Sequence, residues 1–181
     1  MKKLTIIIAI SFLLSKIASA GDIIIKVKGS YFYPSDKAFE EIYGGGVMYG
    51  GEADIGIWRN LELWVGASYY SKKSELTFTK EKTRLKIIPI GGGVKYRLSA
   101  RSLNIYGGIG INYYQYEEKN PIGDVGWGEL GIVAKIGCAV KGSGGLMTDF
   151  YINYSYCKMR PVSNDINVGG VEAGIGIGYR F

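Results

Sequence analysis

The chain ends in Val168-Gly-Gly-Val-Glu-Ala-Gly-Ile-Gly-Ile-Gly-Tyr-Arg-Phe181, and this stretch decides the fold. Every second residue is apolar or aromatic: Val171, Ala173, Ile175, Ile177, Tyr179 and Phe181. The residues between them are small or charged. Because side chains alternate across a strand, this strand has one apolar and one polar face. Soluble sheets show the same alternation, but an aromatic at the tip of the apolar face is typical of a strand that finishes in a membrane interface.

The same alternation recurs in seven earlier segments. They lie at about residues 22–33, 46–58, 61–70, 85–98, 103–116, 127–140 and 146–158. The connections between the eight segments are alternately long and short, as in outer-membrane barrels, which have an even strand number, short periplasmic turns and longer outer loops. Strands of about 11–14 residues exceed the usual 5–6 of soluble sheets. The pattern predicts an all-β, eight-stranded antiparallel up-and-down transmembrane barrel, with a bulge or the outer end of a strand at Pro89, which lacks an amide donor.

Residues 1–20 have the features of a secretory signal peptide. Lys2 and Lys3 precede the apolar segment Leu4–Leu14, and Ala18-Ser19-Ala20 is a small-residue cleavage motif. The apolar run of about 11 residues is shorter than the roughly 20 that span a bilayer. We therefore expect a signal peptide at 1–20, cleavage after Ala20 and a barrel domain at 21–181. Removing three of the 22 basic residues leaves 19 against 16 acidic ones, a net charge of about +3.

Aromatic residues mark both ends of the apolar face. Those at the loop ends of the predicted strands are Tyr31, Tyr33, Tyr49, Tyr69, Tyr113, Tyr154 and Tyr156; those at the turn ends are Tyr96, Phe150, Tyr179 and Phe181. Aliphatic residues lie between them, as expected for two aromatic rings that bracket a hydrocarbon layer. The alternative is a water-soluble barrel or sandwich with the apolar face inward. The other face would then be rich in Lys, Glu, Thr and Ser, whereas here it is rich in glycine.

The polar face predicts a charged interior. Its charged residues are Lys26, Lys28, Glu52, Asp54, Glu62, Lys95, Arg97, Glu129, Lys135, Asp149, Glu172 and Arg180. An eight-stranded barrel is just wide enough for its own side chains, so these charges must pair with one another. The interleaved glycines leave room for long side chains. We therefore expect an interior charge network that fills the lumen.

These features together resemble a small eight-stranded bacterial outer-membrane protein of the OmpX/OmpA type. The resemblance covers the chain after residue 20 and includes its terminal Gly-Tyr-Arg-Phe. It implies location in the bacterial outer membrane, and an insertion signal at Tyr179 and Phe181 that the barrel-assembly machinery reads. The function that it implies is support of envelope integrity or surface interaction through the outer loops. A narrow OmpW-like channel for small or apolar solutes is the alternative, and a soluble lipocalin-type barrel is a third.

The residues offer little support for an enzyme. Barrel enzymes of the outer membrane generally use a histidine base, and the sequence contains none. Glu52 with Asp54 or Glu129 could form a carboxylate pair, but interior ion pairs explain these residues better. Residues 126–131 match a dinucleotide fingerprint, although they open a strand instead of joining a strand to a helix. We expect no catalytic residue, no cofactor and no metal site.

Two further features concern partners and thiols. The second long loop, about residues 71–86, has six basic residues, which could contact lipopolysaccharide: Lys72, Lys73, Lys80, Lys82, Arg84 and Lys86. An ordinary solvated loop is the alternative, and the flanking strands could continue into it as a protruding hairpin. We expect a monomer with lipid partners and no nucleic acid. Cys138 is predicted to pair with about Asp149 and Cys157 with about Leu130. The two cysteines would then face opposite sides about eight residues apart along the ladder, so both should be free thiols.

Overall fold

The computed structural model describes residues 22–75, 82–120, 123–159 and 166–181. The predicted signal peptide lies outside these ranges. The elements in chain order are β1 (Ile23–Pro34), α1 (Lys37–Tyr43), β2 (Gly46–Trp58), β3 (Leu61–Glu75), β4 (Lys82–Ala100), β5 (Leu103–Asn120), β6 (Gly123–Lys141), β7 (Leu146–Tyr156), β8 (Lys158–Met159), β9 (Ile166–Asn167) and β10 (Gly170–Arg180). None of the helices in the described ranges is long and apolar enough to cross a membrane.

Eight of these strands close into an antiparallel barrel. Each of β1 to β7 pairs with the next barrel strand, and β10 pairs with both β7 and β1. The closing ladder pairs Ile24 with Arg180 at one end and Pro34 with Gly170 at the other. The predicted up-and-down barrel is therefore confirmed, and the terminal strand is the one that closes it.

The barrel has its apolar face outward. Along β10, Ile177 is 66% exposed while its neighbours Gly176 and Gly178 are buried, and Val27 of β1 is 72% exposed between the buried Lys26 and Lys28. All eleven aromatic residues predicted to form the two rings lie on the exterior. Such a surface requires an apolar surround, because a soluble protein would bury these side chains. The soluble alternative would place them inward and does not fit.

The barrel wall is taller on one side. Strands β3 to β6 have 15, 19, 18 and 19 residues, whereas β1, β2, β7 and β10 have 11 to 13. Ser71–Glu75 pairs with Lys82–Lys86, so the flanking strands of the second long loop do continue as a hairpin. The extra residues are at the outer end, where the long connections lie. One side of the barrel therefore rises beyond the membrane as a sheet.

Two connections and one position within a strand differ from the predictions. The first long loop contains α1, whose first turn is capped by Asp36 Oδ1, which accepts a hydrogen bond from the Phe39 amide at 3.2 Å. The fourth contains part of the small β8–β9 hairpin. At Pro89 there is no bulge: the register between β3 and β4 is the same on both sides, but the pairs of Ser68 with Pro89 and Tyr69 with Ile88 are missing. The register does not slip at the two missing pairs, because β5, on the other side of β4, still pairs with Pro89.

The two cysteines are free thiols, as predicted, although the register is one residue away from the prediction. Cys138 pairs with Phe150 instead of Asp149, and the ladder places Cys157 beside Gly131. The shift arises in the connection between β6 and β7, where Ser143–Gly145 forms a turn of 3₁₀ helix. Cys157 is buried inside, whereas Cys138 is on the outer face, so they face opposite sides.

Candidate functional site

The lower half of the lumen, toward the short turns, contains a lattice of ion pairs centred on Glu52. This carboxylate contacts four lysines from three strands: Lys26 at 3.5 Å and Lys28 at 3.2 Å from β1, Lys135 at 2.6 Å from β6, and Lys95 from β4. All five side chains are buried. Four cations around one carboxylate would repel one another, so further anions are needed to hold them.

Asp54 and Asp149 supply these anions. Lys26 lies 2.8 Å from Asp54 and 2.9 Å from Asp149, and Lys95 lies 2.7 Å from Asp54. The Tyr106 hydroxyl donates to both oxygens of Asp149, at 3.0 and 3.1 Å. Each buried carboxylate thus has several partners, which is the condition under which buried charges are tolerated.

Aromatic rings and glycines hold the lysines in place. The Lys28 ammonium lies 3.6 Å from the centre of the Tyr151 ring, and that of Lys135 lies 3.5 Å from the Trp64 ring. A Cβ at Gly108 would come within 2.8 Å of the Lys95 side chain, and one at Gly110 within 2.4 Å of Trp64. These glycines are therefore required by the close approach of large side chains, as the sequence predicted.

Two smaller groups extend the lattice at its ends. Arg97 pairs with Glu62 at 2.8 Å near the turns. Toward the outside, Glu172 accepts hydrogen bonds from Ser30 at 2.7 Å, Tyr151 at 3.0 Å and Asn153 at 2.9 Å. The described lattice has five cations and five carboxylates, so it is neutral as a whole: Lys26, Lys28, Lys95, Arg97 and Lys135, with Glu52, Asp54, Glu62, Asp149 and Glu172.

Two residues of the predicted interior network lie outside it. Glu129 is exposed and lies beyond Ile132, the last residue of β6 that pairs with β7, in the part of β6 that pairs with β5 alone. Arg180 pairs with Asp22 at the rim, and both side chains are partly exposed. Alternation gives the face on which a residue lies but not its height along the barrel axis, so the sequence could not separate these two from the rest.

The upper half of the lumen is apolar, which the sequence analysis missed. Phe39 and Tyr43 of α1 insert into the mouth of the barrel and pack with inward-facing wall residues, among them Phe32, Met48, Tyr70, Leu85 and Ile87. The Tyr70 hydroxyl donates to the Gly44 carbonyl at 3.0 Å, which ties the end of the helix to the wall. Apolar residues on the otherwise polar face of the first four strands are the feature of the sequence that indicates this apolar region.

A small cavity separates the two halves. Its volume is about 40 Å³, and its lining includes Lys28, Glu52 and Lys135 below and Phe32 and Tyr114 above. Such a volume accommodates a few water molecules. Buried charged side chains therefore occupy the lower part of the described lumen, and apolar side chains occupy its upper part.

The structure separates the six basic residues of the second long loop. Lys72 donates to the Gly45 carbonyl at 2.8 Å and so helps to hold the cap. Lys86 pairs with Glu117 at 3.2 Å. Lys73 and Arg84 are paired positions in the β3–β4 ladder, and Lys82 is opposite Glu75. Lys80 lies outside the described residues.

The predicted insertion signal lies on the exterior of the closing strand. The Tyr179 and Phe181 rings pack edge to face, with centroids 4.9 Å apart, and Phe181 is 70% exposed. Their position at the turn end places them in the inner aromatic ring. Both side chains are thus available to a partner during assembly.

Solved structures of bacterial outer-membrane proteins share the fold of this barrel. The chain has the fold of the small outer-membrane β-barrels. Neisserial surface protein A matches over 90% of this chain and 98% of its own, with 17% identity and a TM-score of 0.70. OprG of Pseudomonas aeruginosa covers 90% and 96% at 16% identity, with a TM-score of 0.72. Ail of Yersinia pestis covers 90% and 99% at 13% identity, with a TM-score of 0.56.

The sequence itself matches no protein-family model and no curated protein. The similarity therefore lies in the architecture, which many sequences can form if apolar and polar residues alternate along each strand. This fold and the apolar belt agree with the predicted location in the bacterial outer membrane. The specific role must come from the lumen and the outer surface.

Proposed function

We propose that this protein is a non-enzymatic, non-conducting outer-membrane barrel that supports the envelope or its surface interactions through its outer end. The observation that carries the proposal is the lattice around Glu52, in which four lysines converge on one buried carboxylate. Those side chains occupy the cross-section through which a solute would have to pass. Opening it would separate buried charges at a cost of several kcal/mol each.

The outer end is the part of the molecule that is available for interaction. The wall formed by β3 to β6 rises above the outer aromatic ring, and the mouth is covered by α1. Ail, a barrel of the same fold, has been crystallised in complex with sucrose octasulfate, a heparin analogue. Binding of an anionic partner is thus compatible with this architecture, and the basic residues of the tall wall supply the complementary charge.

Solute efflux from liposomes tests the proposal. Vesicles that contain the folded protein should retain glucose, glycine and a short-chain fatty acid at the same rate as vesicles without protein, because the lattice fills the lumen. A heat-shift gel on the same vesicles confirms that the barrel is folded. Faster release of any of these solutes from the protein-containing vesicles would contradict a closed lumen.

A narrow channel for small or apolar solutes is the second candidate, and one observation favours it. The cavity of about 40 Å³ is bordered by Ser68 and Pro89, where the β3–β4 ladder lacks two pairs. An apolar solute that displaced the cap could reach the membrane there without crossing the charged layer. Release of the fatty acid alone, reduced by closing the ladder with Pro89→Val, would support this candidate instead.

A further inference from the structure

Two of the short turns place an arginine where the backbone is left-handed. Arg59 begins the turn between β2 and β3 with a φ of 41°, and Arg101 begins the turn between β4 and β5 with a φ of 40°. Glycine, asparagine or aspartate usually occupies such a position, because a bulky side chain is strained there. A long cationic side chain at both positions is therefore not required by the turns and indicates a role outside them.

A bulge in β2 directs Trp58 outward beside Arg59. The ladder between β2 and β3 skips Ile57 and pairs Trp58 with Leu61. This extra residue moves the indole from the inward to the outward face of the strand, where it is 70% exposed. The Arg59 guanidinium lies 5.8 Å from the centre of the Trp58 ring. Two irregularities of one turn thus bring an aromatic ring and a cation together on the exterior.

Lys141, the last residue of β6, lies beside Arg101. The Lys141 amide donates to the Ser102 carbonyl at 2.7 Å, and its ammonium donates to the Arg101 carbonyl at 3.4 Å. The pairs that start at Trp58 and are followed round the barrel return to β2 at Val47, so the strands are tilted. With this tilt, Trp58 is level with about residue 98 of β4 and about residue 141 of β6. Three basic residues therefore lie near one level of the barrel, and we call them the turn cations: Arg59, Arg101 and Lys141.

The acidic residues near the turn cations are engaged elsewhere. Asp22 pairs with Arg180, and the buried Glu62 pairs with Arg97 at 2.8 Å. The residues of the three short turns include no acidic side chain. Both arginines among the turn cations are exposed, so their charges face the surroundings of the barrel. This end of the described barrel therefore carries an excess of positive charge.

The level of the turn cations in the membrane indicates their partner. Short turns of outer-membrane barrels face the periplasm, and this barrel has its inner aromatic ring at the same end. The Asn60 side-chain amide, next to Arg59, donates to the Tyr96 hydroxyl of that ring at 3.3 Å. Aromatic rings of this kind lie at the level of the lipid headgroups. The turn cations therefore meet the headgroups of the inner leaflet, which attract cations when they are anionic.

We propose that the turn cations bind anionic phospholipids of the phosphatidylglycerol class in the inner leaflet. An arginine guanidinium offers a planar fork that suits two phosphate oxygens, and the exposed Trp58 ring packs against the lipid beside it. An anionic headgroup would offset the strain of the two left-handed arginines. This binding requires the outer-membrane location but neither the closed lumen nor the outer end. The experiments below can therefore fail separately from the efflux experiment.

The double variant R59N/R101N separates the charge from the backbone, because asparagine tolerates the left-handed region and is neutral. Thermal unfolding of the folded barrel is followed in zwitterionic detergent, alone and with phosphatidylglycerol or phosphatidylcholine. Without lipid, the variant should unfold at the same or a higher temperature than the wild type. Phosphatidylglycerol should raise the unfolding temperature of the wild type more than phosphatidylcholine does, and this difference should fall by about half or more in the variant. A variant that unfolds at a lower temperature without lipid would contradict the proposal, because the arginines would then stabilise the barrel by themselves.

Two further variants separate the site from net charge. R59K/R101K keeps both charges and should retain most of the phosphatidylglycerol effect. K37Q/R84Q removes two exposed cations from the outer end and should retain all of it. An equal loss in K37Q/R84Q and R59N/R101N would overturn the assignment to the turn end, and so would equal stabilisation of the wild type by the two lipids.

Quenching of tryptophan fluorescence locates the bound lipid. Trp64 is buried in the lumen and Trp127 lies toward the outer end, so the Trp127→Phe protein keeps Trp58 as its exposed indole. In phosphatidylcholine vesicles, about 10% of brominated phosphatidylglycerol should quench this indole about twofold more than the same fraction of brominated phosphatidylcholine. The excess should disappear when R59N/R101N is added to the Trp127→Phe protein. Equal quenching by the two lipids before that change would contradict enrichment of anionic lipid beside Arg59.

Discussion

At the scale of single residues, Glu52 is the side chain on which the lumen depends. It contacts Lys26, Lys28, Lys95 and Lys135, and all four of these cations are buried. Removal of one partner from a buried ion-pair network costs about 3–5 kcal/mol, because the remaining charges stay buried. We expect Glu52→Gln to reduce the free energy of unfolding by about that amount in urea titrations of the protein in lipid vesicles.

Glu129→Gln is the control for this change. The sequence grouped both glutamates in one network, but the structure leaves Glu129 exposed near the outer end of β6. Surface substitutions of this kind usually change stability by less than about 0.5 kcal/mol. Similar losses for the two variants would show that the lattice does not hold the charges as described.

Cys157 provides a residue-scale probe of the upper lumen. It is 1% exposed, and burial raises the pKa of its thiol to about 12. The reactive thiolate is therefore scarce at neutral pH and is also shielded. Folded protein should leave Cys157 unmodified by iodoacetamide at pH 8, as measured by peptide mass spectrometry, whereas urea-unfolded protein should be modified completely. Rapid modification in the folded state would mean that the cap is open.

At the scale of elements, α1 closes the mouth of the barrel through Phe39. This side chain is 3% exposed and packs in the apolar cluster of the upper lumen, while Ile42 on the same helix is half exposed. Truncation of a buried phenylalanine costs about 3–5 kcal/mol in a core that cannot collapse. We expect Phe39→Ala to reduce stability by up to that amount and to make Cys157 reactive.

Ile42→Ala serves as the matched change on the exposed side of α1. It should change the free energy of unfolding by no more than about 0.5 kcal/mol. It should leave the reactivity of Cys157 unchanged. Both quantities are measured on the same samples, by urea titration and by alkylation. Equal effects of the two variants would show that the helix does not insert as a cap.

We expect the closing strand β10 to direct the assembly of the barrel into the membrane. Phe181 lies on the exterior at the turn end, next to Tyr179. We expect the insertion machinery to read the terminal aromatic, so Phe181→Ala should reduce the amount of heat-modifiable barrel in the outer-membrane fraction several-fold. Tyr96→Ala, which removes another exterior aromatic at the same end, should not. An unchanged yield for Phe181→Ala would contradict the role of this residue as a signal.

At the scale of the whole molecule, the sequence predicted the features that alternation controls. The strands, their faces, the aromatic rings and the charged core all follow from a period of two, because one slipped residue would exchange the two faces. The bounds of β2 agree with the prediction at both ends, at Gly46 and Trp58. The register between β6 and β7 differs by one residue because the turn at Ser143–Gly145 sets it locally.

Two kinds of feature could not be predicted in the same way: the position of a residue along the barrel axis, and the structure of the loops. The seven residues of α1 are too few for a helical period to be recognised, and the helix is stable because Phe39 and Tyr43 pack inside the barrel. Likewise, Glu129 lies on the inward face but near the outer end of a tall strand. Such information is present only in the register.

We propose that a neutral lattice of ion pairs closes the lumen of this outer-membrane barrel. The most direct test is a planar-bilayer recording of the folded wild-type protein in 1 M KCl, with heat-shift gels as the folding control. We predict no steady conductance above that of the protein-free bilayer, because Glu52 and its four lysines fill the cross-section. A stable open pore of defined conductance would contradict the claim and would make the channel the leading function.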